Sequence, residues 1–203
     1  MFMKNLILGA FALMVLSLTS CGGGLKLDNF DNAAALNDVI AKNLKADANV
    51  TSIRIQPITT YLSTEVSSID IHSTAADGKK YLTQIFLEPA RETVEKELED
   101  KTSSYSRSKA DPGRSINDYD FTVVLSNISN AAQQIIDAGM TYSGVGPYKI
   151  NFSSDPAKDK HSFSILSKIG TSTQGRNIVT EYYEIDAEAD AESNVTVEIP
   201  TEE

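Results

Sequence analysis

The sequence predicts an α+β fold made of tandem α-β-β-β units, each a helix packed on an antiparallel sheet. Three observations carry this expectation. Two stretches of helical apolar spacing, Leu36 to Leu44 and Ile128 to Ile136, lie far apart in the chain, and each precedes a set of β-type segments. The two halves can be laid over each other, segment on segment. Hydrophobic residues make up 41% of the 203 residues, which is enough to bury a core.

The first helix is read from Leu36, Val39, Ile40 and Leu44, one apolar stripe, with Asp31 or Asn32 as its cap. The second is read from Ile128, Ala131, Ala132, Ile135 and Ile136, with Gly139 as a left-handed stop. Phe121, Val124 and Leu125 extend that stripe backwards, with Asp118 or Asp120 as the cap; a strand over 121–125 is the competing reading. Strands are expected over 52–60, 66–73 and 80–88 in the first half, and over 148–153, 161–169 and 177–185 in the second. A further short one fits Asn194 to Ile199. Asp77-Gly78 and Gln174-Gly175 mark hairpin turns at matching places. Pro57 cannot donate to a ladder, so it marks an edge or a bulge.

In the overlay, Leu36, Ile40 and Leu44 fall on Ile128, Ala132 and Ile136. Ile69 and Ile71 fall on Phe163 and Ile165, and 81–86 falls on 178–183. Alternation then assigns the faces. Ile53, Ile55, Ile69, Ile71, Ile150, Phe152, Phe163 and Ile165 point to the helices. Arg54, Asp70, His72, Lys149 and Asn151 point away.

Between the halves, Pro89 suits a helix start, and Ala90, Val94 and Leu98 lie four apart. Glu92–Lys96 and Glu97–Lys101 have the favourable helical order, so a charged helix is expected there. The polar run from Thr102 to Arg114, with Arg107, Lys109 and Arg114, reads as a mobile linker. The expected organisation is a signal peptide (1–20), a lipidated cysteine and Gly-rich tether (21–28) and a first unit (29–88). A helix and linker (89–116), a second unit (117–199) and an acidic tail (200–203) follow.

The amino terminus is the most specific part. Lys4 precedes an apolar run from Leu6 to Leu16, which is short of the ~20 residues a membrane span needs and suits a signal peptide. Leu18-Thr19-Ser20-Cys21 resembles the lipobox of bacterial lipoproteins. The resemblance implies cleavage between Ser20 and Cys21 and a lipid on the Cys21 thiol, so that the membrane is a partner through the anchor. Cys21 is the single cysteine of the chain, so no internal disulfide forms. In such lipoproteins an aspartate after the cysteine marks inner-membrane retention, and an early acidic cluster marks surface exposure. Gly22 to Leu27 has neither, which implies the outer membrane facing the periplasm, with the cell surface as the alternative.

The charge balance is 18 Lys+Arg against 28 Asp+Glu, a formal net charge of −10, which argues against nucleic-acid partners. Two histidines and one cysteine leave little for metal or acid–base chemistry, and no cofactor is expected. No nucleophile elbow, zincin motif, P-loop or dinucleotide fingerprint occurs. Asp186, Glu188, Asp190 and Glu192 alternate, but the calcium-loop pattern is absent, so a solvated strand end is the reading. Asp70 and His72 share one strand face, where a carboxylate can orient an imidazole; an exposed pair is the simpler reading. Tyr182 and Tyr183 place an aromatic on each face of the last long strand, one for the core and one for a binding surface.

Two function classes remain. The first is a lipid-anchored binding protein of the cell envelope with no chemistry of its own, whose partner is a protein or a small molecule. Arg54, Asp70, His72, Lys149, Tyr182 and Tyr183 are its candidate contact residues. The tandem helix-on-sheet arrangement broadly resembles periplasmic inhibitor-like and PepSY-like folds. The second class is an envelope hydrolase, which requires Asp, His and Ser to converge on one sheet face.

Overall fold

A computed structural model describes residues 24–45, 47–58, 62–87, 91–98, 111–175 and 177–200. The expected signal peptide, Ser20 and Cys21 lie outside the described residues, as do Arg107 and Lys109 of the expected linker.

Two α-helices and nine strands are formed by the described residues. The helices are α1 (Ala33–Asn43) and α2 (Thr122–Asp137). The strands are β1 (Asn49–Pro57), β2 (Val66–Thr74), β3 (Lys80–Phe86), β4 (Val94–Leu98), β5 (Tyr142–Val145), β6 (Tyr148–Asn151), β7 (Lys160–Gln174), β8 (Asn177–Ala189) and β9 (Val195–Val197). The class is therefore α+β, dominated by one large antiparallel sheet. The strand order is β4-β3-β2-β1-β6-β7-β8-β9, with β5 also paired to β7. The two halves thus do not form separate sheets, because β1 and β6 zip them together.

Register explains why both helices lie on one face. Ile53 of β1 stands opposite Ile71 of β2 on one side and Ile150 of β6 on the other. Ile55 stands between Ile69 and Tyr148 in the same way. Further out, Ile165 faces Ile185, and Phe163 faces Ala187. All of these are buried on the face that receives Leu36 and Ile40 from α1 and Val124, Leu125, Ile128, Ala131 and Ile135 from α2. The expected inward set is buried throughout. Ile136 is not: it is 49% exposed, beside a fully buried Ile135. The stripe of α2 that meets the sheet takes in Ile128, Ala131 and Ile135, and Ile136 falls beyond its rim.

Local chemistry fixes the element ends. Asn29 accepts from the Asp31 amide at 3.0 Å and caps a 3₁₀ turn before α1. Asn32 makes no side-chain cap; its amide donates to the Lys26 carbonyl at 3.0 Å. Asp120 accepts from the Thr122 amide at 2.9 Å, and Asn37 of α1 accepts from the Phe121 amide at 3.1 Å, tying the two helices together. Gly139 has the expected positive φ of 81°, and its amide returns to the Ile136 carbonyl at 2.9 Å.

The expected helix after Pro89 is a strand where it is described. Val94 to Leu98 forms the edge strand β4, with Glu95 opposite Thr83 and Leu98 opposite Lys80. Spacing of four suits a strand as well as a helix, because both put Val94 and Leu98 on one face. The open edge of β3 then decides in favour of the ladder. Of the expected helical ion pairs, Glu92–Lys96 does not form, and Lys101 lies outside the described residues. Glu95 instead meets Lys45 at 2.8 Å, and Glu97 meets Lys79 at 3.1 Å.

Two stretches expected to be loose are held. Leu27, placed in the tether, is fully buried, and the Leu25 carbonyl accepts from the Val66 amide at 2.8 Å. Asp111 to Arg114, placed in the mobile linker, is docked on β1: the Val50 amide donates to the Arg114 carbonyl at 2.8 Å. Gly113 has a φ of 70°, and a Cβ there would run into the Val50 carbonyl. Only glycine fits this close approach.

The packing predicts a sharp contrast between neighbours. Ile135→Ala is expected to cost ~2–5 kcal/mol in urea denaturation, and Ile136→Ala within about 0.5 kcal/mol. Ile69→Asp, at a buried site between β1 and β3, is expected to abolish the cooperative transition.

Candidate functional site

The face turned away from the helices is polar, and the register places its side chains in rows. One row reads Gln84, Asp70, Arg54, Lys149, Ser162, Glu188 and Thr196 across seven strands. Arg54 and Lys149 thus stand directly opposite each other at the β1–β6 seam. Like charges so placed repel. Neither forms an ion pair among the described residues; Asp70, on the far side of Arg54, accepts from Gln84 Nε2 at 3.0 Å. Beside this cation pair runs a groove of about 430 Å³, which Ser162, Glu184, Asp186 and Glu188 line from the other side. One wall is therefore basic and the other acidic. Ser164, in the floor, donates to Glu184 Oε1 at 2.8 Å.

His72 lies in the next row, opposite Ser52 and Leu82. It shares the face of Asp70, as alternation requires, but no hydrogen bond joins the two, and none joins His72 to Ser52. Asp, His and Ser are neighbours here without a proton relay. Tyr182 and Tyr183 lie apart from this row, on the hairpin formed by β7 and β8. Neither is core: they are 47% and 46% exposed. At that point β8 runs opposite Lys168 and Ser167, next to a bulge.

The most elaborate polar arrangement lies on the other face, buried under α2. Asn127 Nδ2 donates to Tyr148 Oη at 2.9 Å, and Tyr148 Oη lies 2.8 Å from His161 Nδ1. The other ring nitrogen, Nε2, lies 3.3 Å from Tyr119 Oη, so both nitrogens of the imidazole meet a phenol. Arg114 closes the outer end. It pairs with the buried Asp159 at 2.5 Å and lies over the rings of Tyr119 and Phe152. Asp159 also accepts from the Ser153 amide at 2.9 Å. The Ser153 hydroxyl goes to Asp111 at 2.5 Å, and this bond heads those that hold the Asp111 carboxyl below its ordinary range. Burial pushes His161 down from 6.5 to about 4, so the ring is neutral at neutral pH. Burial also pushes the Tyr148 and Tyr119 phenols up.

This cluster serves the core. Its members bond to one another, while Asn127 Oδ1 and Arg114 Nε are buried without a hydrogen-bond partner among the described residues. Its pairing was not visible in the sequence, because Arg114, Tyr119, Asn127, Tyr148, Asp159 and His161 share no motif spacing. The one local signal is Tyr148 and His161, which take the same inward parity as Ile150 and Phe163.

Comparison with protein-family models, curated proteins and solved structures gives no match for the chain. Among the described residues no cluster of His, Cys, Asp and Glu has the geometry to hold a metal ion.

The buried imidazole sets a pH dependence. His161 takes up its proton more readily in the unfolded chain, so its contribution to stability is complete above pH 6.5 and is lost as pH falls towards 4. Across that window the loss should approach ~3 kcal/mol, and His161→Phe should flatten it in denaturation series at stepped pH. Tyr148→Phe strands Asn127 and His161 together and should cost ~1–3 kcal/mol at neutral pH.

Proposed function

We infer that this chain is a lipid-anchored binding protein of the cell envelope, without chemistry of its own, that meets its partner through the uncovered face of its sheet. One observation carries the reading. Arg54 and Lys149 stand opposite each other at the centre of that face with no counter-ion among the described residues, next to a groove with an acidic far wall. Like charges in register cost stability that an opposite-charge pair would give. A partner carrying an anionic group would relieve the repulsion. The opposed walls favour a partner with both signs of charge, such as a protein surface or a zwitterionic small molecule.

The lipobox-like sequence at Cys21 is the support for the anchor. Two or three acyl chains hold a protein firmly on a bilayer. No helix among the described residues is long and apolar enough to cross a membrane. Following the residues after Cys21, the site of action is the outer membrane, on its periplasmic side. The tandem reading belongs here as well. Outward from the β1–β6 seam the sheet runs β1-β2-β3-β4 on one side and β6-β7-β8-β9 on the other, with a helix ahead of each set. That order is what two joined α-β-β-β units would give, with β4 and β9 as added edges and β5 as an insertion. The hydrolase reading lacks support of this kind, since Asp70, His72 and Ser52 form no relay and the two nitrogens of the buried His161 are taken up by Tyr148 and Tyr119.

Two measurements test the reading. Cells expressing the full chain with a labelled fatty acid should label the wild type and not Cys21→Ser; label on the serine variant overturns the anchor. Arg54→Glu with Lys149→Glu should weaken photo-cross-linking to envelope partners at least about tenfold, a loss of about 1.4 kcal/mol, while the melting temperature stays nearly unchanged. Undiminished cross-linking moves the contact surface elsewhere.

A further inference from the structure

The two edges of the sheet differ in a way that the binding reading does not use. The β4 edge is short and carries Glu95, Lys96 and Glu97, the charges that keep other chains from adding on. The β8 edge is long, and β9 covers only Ala187 to Ala189, with one more bond from the Glu198 amide to the Asp186 carbonyl. The stretch from Ile178 to Glu184 therefore has no strand on its outer side among the described residues. Its sequence, Ile-Val-Thr-Glu-Tyr-Tyr-Glu, has high strand propensity and no proline. Ile178 is 78% exposed and Tyr182 is 47% exposed.

We propose that β8 joins the β8 of a second copy of this chain, antiparallel and centred on Thr180, to make one continuous sheet. Backbone direction sets the parity. Asp186 and Asp190 both bond towards β9, so the even-numbered residues of β8 turn their N–H and C=O groups outward. Ile178, Thr180, Tyr182 and Glu184 thus hold the free groups. A two-fold pairing about Thr180 matches outward groups with outward groups. It sets Ile178 against Tyr182 of the second copy, and Val179 against Glu181. Centring on Glu181 instead would oppose two identical carboxylates in the close, non-hydrogen-bonded position. Centring on Tyr182 would call on Asp186, whose carbonyl is already taken by Glu198. Shifts of half a step would face outward groups with inward ones. The Thr180 register is the one that uses the exposed Ile178 and Tyr182 on each other without a like-charge contact. A second copy is favoured over an unrelated strand because the edge complements itself.

Cross-linking and sedimentation of the full chain in detergent test this, with Cys21 intact and with Cys21→Ser to exclude dimers made through that thiol or its lipid. Thr180→Cys should oxidise to a covalent dimer, because the paired Cα atoms would lie ~5.5 Å apart. Ile178→Cys alone should not, because its own copy would sit roughly 13 Å away along the strand. Thr180→Pro removes an outward N–H without touching the β7 ladder, and should raise the dimer dissociation constant on the order of tenfold or more at an unchanged melting temperature. Should the proline variant unfold, Ile178→Lys with Tyr182→Lys replaces it and should give monomer. A chain that sediments as monomer at every concentration overturns the proposal. So does a dimer that resists these substitutions or fails to cross-link at Thr180→Cys.

Discussion

The structure depends on the antiparallel pairing of β1 with β6. Ile53 against Ile150 and Ile55 against Tyr148 join two stretches of chain far apart in sequence. They also make the inner rows of both halves continuous. With the rows continuous, one apolar face spans the sheet, and α1 and α2 must share it. A slip of one residue at this seam would turn Arg54 and Lys149 inward and expose the isoleucines. The seam therefore determines the core and the polar face together.

The cost of that arrangement falls at the same place. With Ile53 and Ile55 inward, Arg54 is forced outward between Asp70 and Lys149. Asp70 could have neutralised it, yet Gln84 occupies Asp70. The result is a basic pair without an ion-pair partner among the described residues, facing an acidic wall across a groove. Charge here is not arranged for internal stability.

Under α2 the logic is reversed. Tyr148 and His161 take inward positions where isoleucine would suit the pattern, and their polar atoms need partners in a dry place. They meet each other, Asn127 bonds Tyr148 and Tyr119 bonds His161, while Arg114 and Asp159 pair at the outer end. The same cluster ties down the segment before α2, since Arg114 is held by Asp159 through its side chain and by Val50 through its backbone. Gly113 makes that close approach sterically possible.

The sequence by itself determined what is periodic or local. Helical stripes, strand alternation and the Asp77-Gly78 and Gln174-Gly175 turns were legible because each rests on neighbours a few residues apart. So were the inward isoleucines and the outward Arg54, Asp70, His72 and Lys149, since alternation needs no tertiary information. Tertiary structure decided the rest. The stretch over 94–98 became a strand because β3 offered it an open edge, and no local propensity announces an edge. Ile136 stayed exposed because a stripe of helical spacing is wider than the face a helix buries. Tyr183 stayed exposed because the hairpin of β7 and β8 carries it past the core. Leu27 and Arg114 were drawn onto the fold by β2, β1 and Asp159, partners distant in sequence. The polar cluster around His161 was likewise invisible, because its members meet only when separate segments converge on one point under α2.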